Sequence, residues 1–295
     1  MKKQRERYGI IGNIEIKKPQ YKVGYILILL FAIFMAAICI VPPLWVILSS
    51  LKTQEEFYRV PPTIIPQTFD FRKIIELWKT FNFGKYYLNT VCMALGCIAF
   101  SITSNGLAGY ALSKLKGKGV KVMFTIVMAT LMMPTGSTGM VPIYKNILNV
   151  PLLNINLINT FWPMWLMSAA NAFYIVVYKS FFDGIPDSVL ESARIDGCSE
   201  VGSFFRIALP LSKPIMFTMV ILVMNGAWSL FFWPFLVLRN KDLYTVTVEM
   251  FMIQPYVTND KLVGLLTFSI VPPVVFFLIF QKYIMQGFTA SGIKG

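Results

Sequence analysis

Charged residues are absent from six long stretches of this chain, 23–51, 86–113, 122–144, 146–178, 214–238 and 262–281, and gather in the intervals between them. A helix needs roughly 20 apolar residues to cross the hydrocarbon core of a bilayer, so each stretch is long enough for one crossing. The pattern predicts six transmembrane helices near 24–49, 87–112, 122–141, 156–178, 214–237 and 263–284. Short links at 114–121 and 142–155 make the helices they join antiparallel neighbours. The interval 52–85, with Pro61-Pro62 and Pro66, reads as an extended strap with a short helix around 70–80. Pro134, Pro163 and Pro234 fall inside or at the ends of spans, where a missing N–H frees a backbone carbonyl. Each reads equally well as a kink or as loosened packing.

Composition agrees with the pattern. With 56% apolar and 14% charged residues, the chain is too apolar for a soluble domain of 295 residues. The fold class expected is an all-α polytopic membrane protein. Residues 1–22 form a polar, basic tail, and the apolar run that follows is long and lacks a small-residue cleavage site, so it reads as a retained span and not a signal peptide. Placing the N-terminus inside puts 17 of the 27 Lys and Arg in inner segments, and the 114–121 link carries Lys114, Lys116, Lys118 and Lys121 with no acid. Positive-inside retention then gives N-in, C-in. The net charge of +13 is largely this topology signal, and no basic, aromatic-bearing soluble face suggests nucleic-acid binding. Cys39, Cys92 and Cys97 lie in spans and Cys198 in an inner interval, with neither disulfide nor metal-ligand spacing. The chain has no His, the commonest metal ligand and general base.

The inner interval 183–213 is polar and acidic, and its punctuation predicts two short helices. Asp183-Gly184-Ile185-Pro186 breaks the preceding helix, and Asp187 or Ser188 can cap the next one, with acid in its first turns as the helix dipole favours. Val189, Leu190, Ala193 and Ile195 alternate with Glu191, Arg194 and Asp196, and Gly197 is placed to end the helix in a left-handed cap. Ser199 can cap a second helix with Val201, Phe204, Phe205 and Ile207 on its apolar side, before Leu209-Pro210 turns the chain into the fifth span. Small residues at Ser192, Ala193 and Gly197 let a partner backbone come close. A plain interfacial loop would show the same amphipathicity, but not the motif.

Glu191-Ser192-Ala193, Asp196-Gly197 and Ile207-Ala208-Leu209-Pro210 resemble the cytoplasmic coupling loop, or EAA motif, of ABC-importer permeases, with Ser192 in place of the first Ala. Tyr87-Leu88-Asn89-Thr90, Leu107-Ala108-Gly109-Tyr110-Ala111, Met132-Met133-Pro134 and the terminal 287–295 are similar to the maltose/oligosaccharide type, so the likeness covers about 24–295. The resemblance implies a six-span, type I importer permease domain over 23–295 in a bacterial inner or plasma membrane. It also implies a second homologous permease, two ATPase subunits that each receive a coupling helix, and an extracytoplasmic solute-binding protein that delivers a carbohydrate. Glu191, Ser192, Ala193, Arg194, Asp196, Gly197, Ile207, Leu209 and Pro210 would form the ATPase-coupling surface, with Glu191 and Arg194 making its polar contacts. By the same likeness the tail, Gly292, Lys294 and Gly295, would reach the ATPases. No G-x-x-x-x-G-K-[ST] phosphate loop is present, so the chain is expected to be non-catalytic and without a cofactor, with ATP and Mg held by the partner ATPases.

No acid or base falls in the interior of a predicted span, which speaks against proton relays and ion sites. A neutral solute would need hydrogen bonds and aromatic faces. Asn105, Tyr110, Asn171, Tyr174, Asn225, Trp228, Ser229 and Trp233 are the candidates, although buried Asn and Ser often fasten membrane helices and Trp often sits at the interface. An ion-coupled secondary transporter using backbone and hydroxyl oxygens is the alternative. A membrane enzyme has no His or intramembrane carboxylate to use, and a purely structural subunit leaves the coupling loop unexplained.

Overall fold

The computed structural model of the chain describes residues 19–132 and 139–292. In chain order the helices are α1 (Pro19–Ser50), α2 (Gln54–Phe57), α3 (Phe71–Thr80), α4 (Phe83–Phe100), α5 (Gly106–Lys114), α6 (Lys118–Met132), α7 (Met140–Leu148), α8 (Trp162–Ala169) and α9 (Ala172–Asp183). They continue as α10 (Asp187–Ile195), α11 (Glu200–Ser203), α12 (Leu209–Leu211), α13 (Lys213–Ser229), α14 (Phe232–Val237), α15 (Val246–Ile253) and α16 (Asn259–Gly292). Among the described residues there is no strand, only an isolated bridge between Val150 and Ile155. Three helical stretches are long and apolar enough to cross a membrane: 23–50, 83–114 and 259–281. A fourth qualifies if the bent pair 200–211 and 213–229 counts as one span.

The chain forms two compact units, Met1–Ile74 with Asn259–Thr267, and Ile75–Thr258 with Phe268–Gly295. In the first, α1 carries Pro42 and Pro43 within it, and its apolar window from Val23 is unburied. The strap is held by polar groups turned inward. The Lys52 ammonium donates to the Thr63 carbonyl, while Glu56 accepts from the Thr63 hydroxyl at 2.7 Å and the Gln67 N–H at 2.8 Å. The helix expected around 70–80 is α3.

The second unit has two apolar cores. One gathers Met93, Cys97, Met164, Val223 and Val237, and the other Tyr110, Tyr178, Phe182, Leu190 and Phe204. Here the spans depart from simple crossings. The second expected span is continuous from Phe83 to Lys114, with a π-helical turn at Ser101–Asn105 that lets one extra residue into the ladder. The third stops at Met132 before the undescribed residues 133–138, and helix resumes at α7; Pro134 therefore lies outside the described residues.

The fourth starts at Trp162 and not near 156, because residues 149–161 form a closed turn with Leu152, Asn154 and Asn159 at positive φ. It breaks again at Ala170-Asn171 and runs on to Asp183. The fifth breaks at Leu230-Phe231, where the Thr247 hydroxyl bonds the freed Leu230 carbonyl at 3.0 Å. Pro163 and Pro234 stand in first turns, which tolerate the missing N–H, so neither kinks a helix interior. The bend at the entry to the fifth span, 86°, falls at Ser212, two residues past Pro210.

Candidate functional site

The coupling segment is built against the second core. Its first helix, α10, turns Leu190 and Ala193 inward, while Glu191, Ser192, Arg194, Ile195 and Asp196 stay exposed. Ala193, expected to help a partner approach, is buried, whereas Ser192 and Gly197 are exposed. Ile195 is 86% exposed at the end of the helix, an apolar knob left uncovered among the described residues. Gly197 takes φ +82°, the Gly197 N–H bonds the Arg194 carbonyl at 3.0 Å, and the Cys198 N–H bonds the Ala193 carbonyl at 2.9 Å. That pair of bonds is a complete Schellman cap, and the left-handed φ explains the glycine. Ser199 caps α11 as expected, its hydroxyl accepting from the Gly202 N–H at 3.1 Å.

One expectation needs correction. Neither Asp187 nor Ser188 caps α10: Pro186 occupies the cap position without a side-chain bond, and the Asp187 carboxylate is drawn to Lys114 at 2.9 Å. That hydrogen bond, with the lysine's charge, holds the Asp187 carboxyl below the usual carboxylate range. Arg194 is already engaged within the chain. Its Nε donates to Glu200 Oε1 at 2.7 Å and its Nη2 to Oε2 at 3.3 Å, a forked pair that braces α10 against α11. Glu191 and Asp196 form no side-chain hydrogen bond or ion pair among the described residues, and remain the outward polar groups. After α11 the chain passes through a π-helical turn at Phe204–Ala208, which buries Phe204 and Ala208 and leaves Ile207 and Leu209 half-buried and Pro210 exposed.

The pathway candidates divide sharply. Asn105 is fully buried, donating to Ser101 Oγ at 3.0 Å and the Ser168 carbonyl at 2.9 Å and accepting from the Asn171 N–H at 2.9 Å. It fastens the π-turn of the second span to the break in the fourth, and no hydrogen of its amide is left for a solute. Asn171 caps α9 through the Tyr174 N–H, and Tyr174 is half-buried between the two cores. Tyr110 is a core residue, edge-on to Phe182. Ser229 returns its hydroxyl to the Asn225 carbonyl at 2.9 Å, and Trp233 packs on the first core.

Asn225 and Trp228 are different: both line a cavity of about 410 Å³ with Tyr87, Thr218, Pro272 and Phe276. The Trp228 indole N–H is spent on the Ser269 carbonyl at 3.1 Å and the Tyr87 hydroxyl on the Phe268 carbonyl, so these rings offer faces and edges only. The Asn225 amide has no partner among the described residues. Of the tail, Lys294 and Gly295 lie outside the described residues, and the backbone of Gly292 closes α16.

Two participants escaped the sequence. Tyr87 was legible only as part of a motif; it packs edge-on to both Trp78 and Trp228, with ring centres 5.0 and 5.4 Å apart. Lys114 was counted for topology alone, yet its side chain is 5% exposed and bonds across 73 residues to Asp187.

Residues 105–290 match the family described as binding-protein-dependent transport system inner membrane component. The chain is 32% identical over 285 residues to the arabinooligosaccharides transport system permease protein AraQ of Bacillus subtilis, covering 94% of this chain and 98% of that one. Among solved structures, the crystal structure of a bacterial ABC transporter involved in the import of the acidic polysaccharide alginate contains a chain with a TM-score of 0.79 at 22% identity, covering 90% of this chain and 98% of its own. A chain of the bacterial alginate ABC transporter in complex with alginate pentasaccharide-bound periplasmic protein gives 0.57 at 15% identity, covering 91% and 96%. At these identities the structural likeness speaks for the fold, and the family and sequence matches speak for kinship. The chain belongs to the family of binding-protein-dependent transport system inner membrane components.

Proposed function

We propose that this chain is one of two permease subunits of an ATP-driven importer for a carbohydrate, an oligosaccharide by kinship, spanning the membrane six times with both termini inside. The observation that carries the reading is the coupling segment. A short helix, capped at its C-terminal end and seated on a buried core, presents Glu191, Ile195 and Asp196 outward with no partner among the described residues. That is the form of a helix made to enter a cleft on another protein. The chain holds no phosphate loop, so ATP and its Mg belong to two partner ATPases, and closure of those subunits moves α10 as a lever. An extracytoplasmic binding protein hands over the solute, in keeping with the family to which the chain belongs. The free Asn225 amide beside the Tyr87 and Trp228 rings supplies the hydrogen bond and aromatic faces a sugar uses.

Sugar-stimulated ATPase activity of the reconstituted complex tests the reading, comparing wild type with Glu191→Ala and with residues 287–295 deleted. Loss of stimulation in Glu191→Ala, with normal insertion, upholds the docking assignment. Wild-type behaviour of both variants would return the ion-coupled alternative to consideration.

A further inference from the structure

The start of α10 is tied to the foot of the second span by a single lysine. Gly109 brings α5 and α9 into backbone contact: a Cβ there would lie 2.6 Å from Tyr178 Cβ and 2.9 Å from the Lys179 N, so no other residue fits without parting the helices. These two helices form one foot of the membrane domain. Lys114 is the last residue of α5, where a cation suits the helix dipole. Of the four lysines of the 114–121 link, Lys116, Lys118 and Lys121 are exposed, whereas the Lys114 side chain is 5% exposed.

Its ammonium donates to the Ile185 carbonyl at 2.6 Å and to Asp187 Oδ1 at 2.9 Å, on either side of Pro186. Pro186 has no N–H and supplies no side-chain cap; the lysine, a donor only, does not cap the first-turn N–H groups but pins the chain at the start of α10 through the Ile185 carbonyl and the Asp187 carboxylate. A second strand of contacts runs beside it. The Ser113 hydroxyl donates to Asp183 Oδ1 at 2.7 Å, and Lys179 pairs with Asp183 Oδ2 at 2.8 Å.

We propose that Lys114 is a positioning residue for energy coupling: it is the joint through which displacement of α10 is delivered to the second span. The proposal rests on the docking of α10 to an ATPase. Apolar contacts such as Leu190 on Phe182 and Phe204 allow a helix to slide and roll, because dispersion has little directionality. A half-shielded, charge-assisted bond to two acceptors does not, since rotation breaks both. Removing it leaves α10 seated but loosely geared. ATP would then be consumed without the matching movement of the membrane helices.

The experiment is sugar moved per ATP hydrolysed by the full complex in proteoliposomes, for wild type, Lys114→Met, Lys114→Arg and Asp187→Asn. Methionine keeps the apolar stem and removes the charge. The expected result is an assembled Lys114→Met complex with retained hydrolysis and a transport-to-ATP ratio lower by about tenfold. Arginine restores most of the ratio, and Asp187→Asn gives an intermediate loss. Asp187 is exposed on the surface, so its variant reads the joint even if the lysine variant fails to assemble. A wild-type ratio in Lys114→Met or Asp187→Asn overturns the proposal, as does equal failure of Met and Arg, which would mark a packing role. Failure of the docking reading has its own signature: Glu191→Ala and Ile195→Asp complexes that keep full stimulation, an outcome that takes the proposal down with it.

Discussion

Residues 51–70 of the strap and the coupling segment at 183–213 are two polar intervals with internal structure, and their patterns of burial are reversed. In the strap, Lys52 and Glu56 are buried and bonded to strap backbone and to the Thr63 hydroxyl, while Val60, Ile64 and Ile65 are exposed at 89%, 76% and 66%. In the coupling segment Leu190, Ala193 and Phe204 are buried and the carboxylates of Glu191 and Asp196 face out. The strap has satisfied its own polarity and shows its apolar side, as suits a lipid or apolar surround. The coupling segment buries Leu190, Ala193 and Phe204 but leaves Ile195 bare among the outward carboxylates, an apolar knob set in charge, as suits a protein partner met in water. Polar content alone therefore does not reveal a docking surface; direction does.

The strongest way to break the contrast is to change the exposed tip of the coupling segment. Ile195 is 86% exposed, so the effect of Ile195→Asp on stability should be small, within about 0.5 kcal/mol. A carboxylate buried unpaired in a partner's cleft is costly, and transport should fall by more than about tenfold with loss of ATPase co-purification. Retained co-purification would show that the tip is not buried by a partner.

The strap should answer in the opposite manner. Glu56→Ala leaves the Thr63 hydroxyl and Gln67 N–H without their acceptor, and the melting temperature should drop by about 5 °C with ATPase binding unchanged. The Thr63 hydroxyl and the Gln67 N–H hold the Glu56 carboxyl below its ordinary value of 4.5. A lowered folded pKa adds stability that is fully present above the ordinary value and is lost as pH falls through the folded one. Thermal scans should therefore show Glu56's contribution unchanged from pH 8 to 5 and lost only in stronger acid, the gap between wild type and Glu56→Ala closing there. A gap that already closes near pH 6 would mean that the carboxylate is not held this way.

Gly197→Ala sits between the two extremes. Nothing lies within 4 Å of a Cβ at this position, so the substitution acts on the backbone alone, at φ +82°. The cost should be about 1 kcal/mol of local stability, read as faster amide exchange at Gly197 and Cys198, with a transport loss of a few fold. Full protection would mean that the cap does not depend on the glycine.

Local chemistry was legible in the sequence and distant partnership was not. The Gly197 cap and the Ser199 cap follow from residue type and a spacing of a few positions. The uninterrupted second span follows from a charge-free run with no proline. The break at Ala170-Asn171 depends on Asn105, 66 residues away, receiving the Asn171 N–H, and no periodicity within 156–178 announces it. Lys114 read as topology because its acceptors, at Ile185 and Asp187, lie beyond α9. Trp228 was legible as an aromatic face, but the commitment of its N–H to the Ser269 carbonyl, 41 residues away, was not.

The smallest effect belongs to Ser192, the one departure from the Glu-Ala-Ala pattern. Its hydroxyl is exposed yet donates back to the Ser188 carbonyl at 2.9 Å, one turn earlier in the same helix. Such a bond adds little to a helix and competes mildly with its ladder. Ser192→Ala should therefore leave transport within about twofold of wild type and strengthen α10 by a few tenths of a kcal/mol, measurable as slower exchange along the helix. Ser192→Trp should be as damaging as Ile195→Asp, because an outward small residue matters only where another backbone comes close. If the tryptophan variant transports normally, this face of α10 is open to water, and docking must run through the Glu191 and Ile195 side alone.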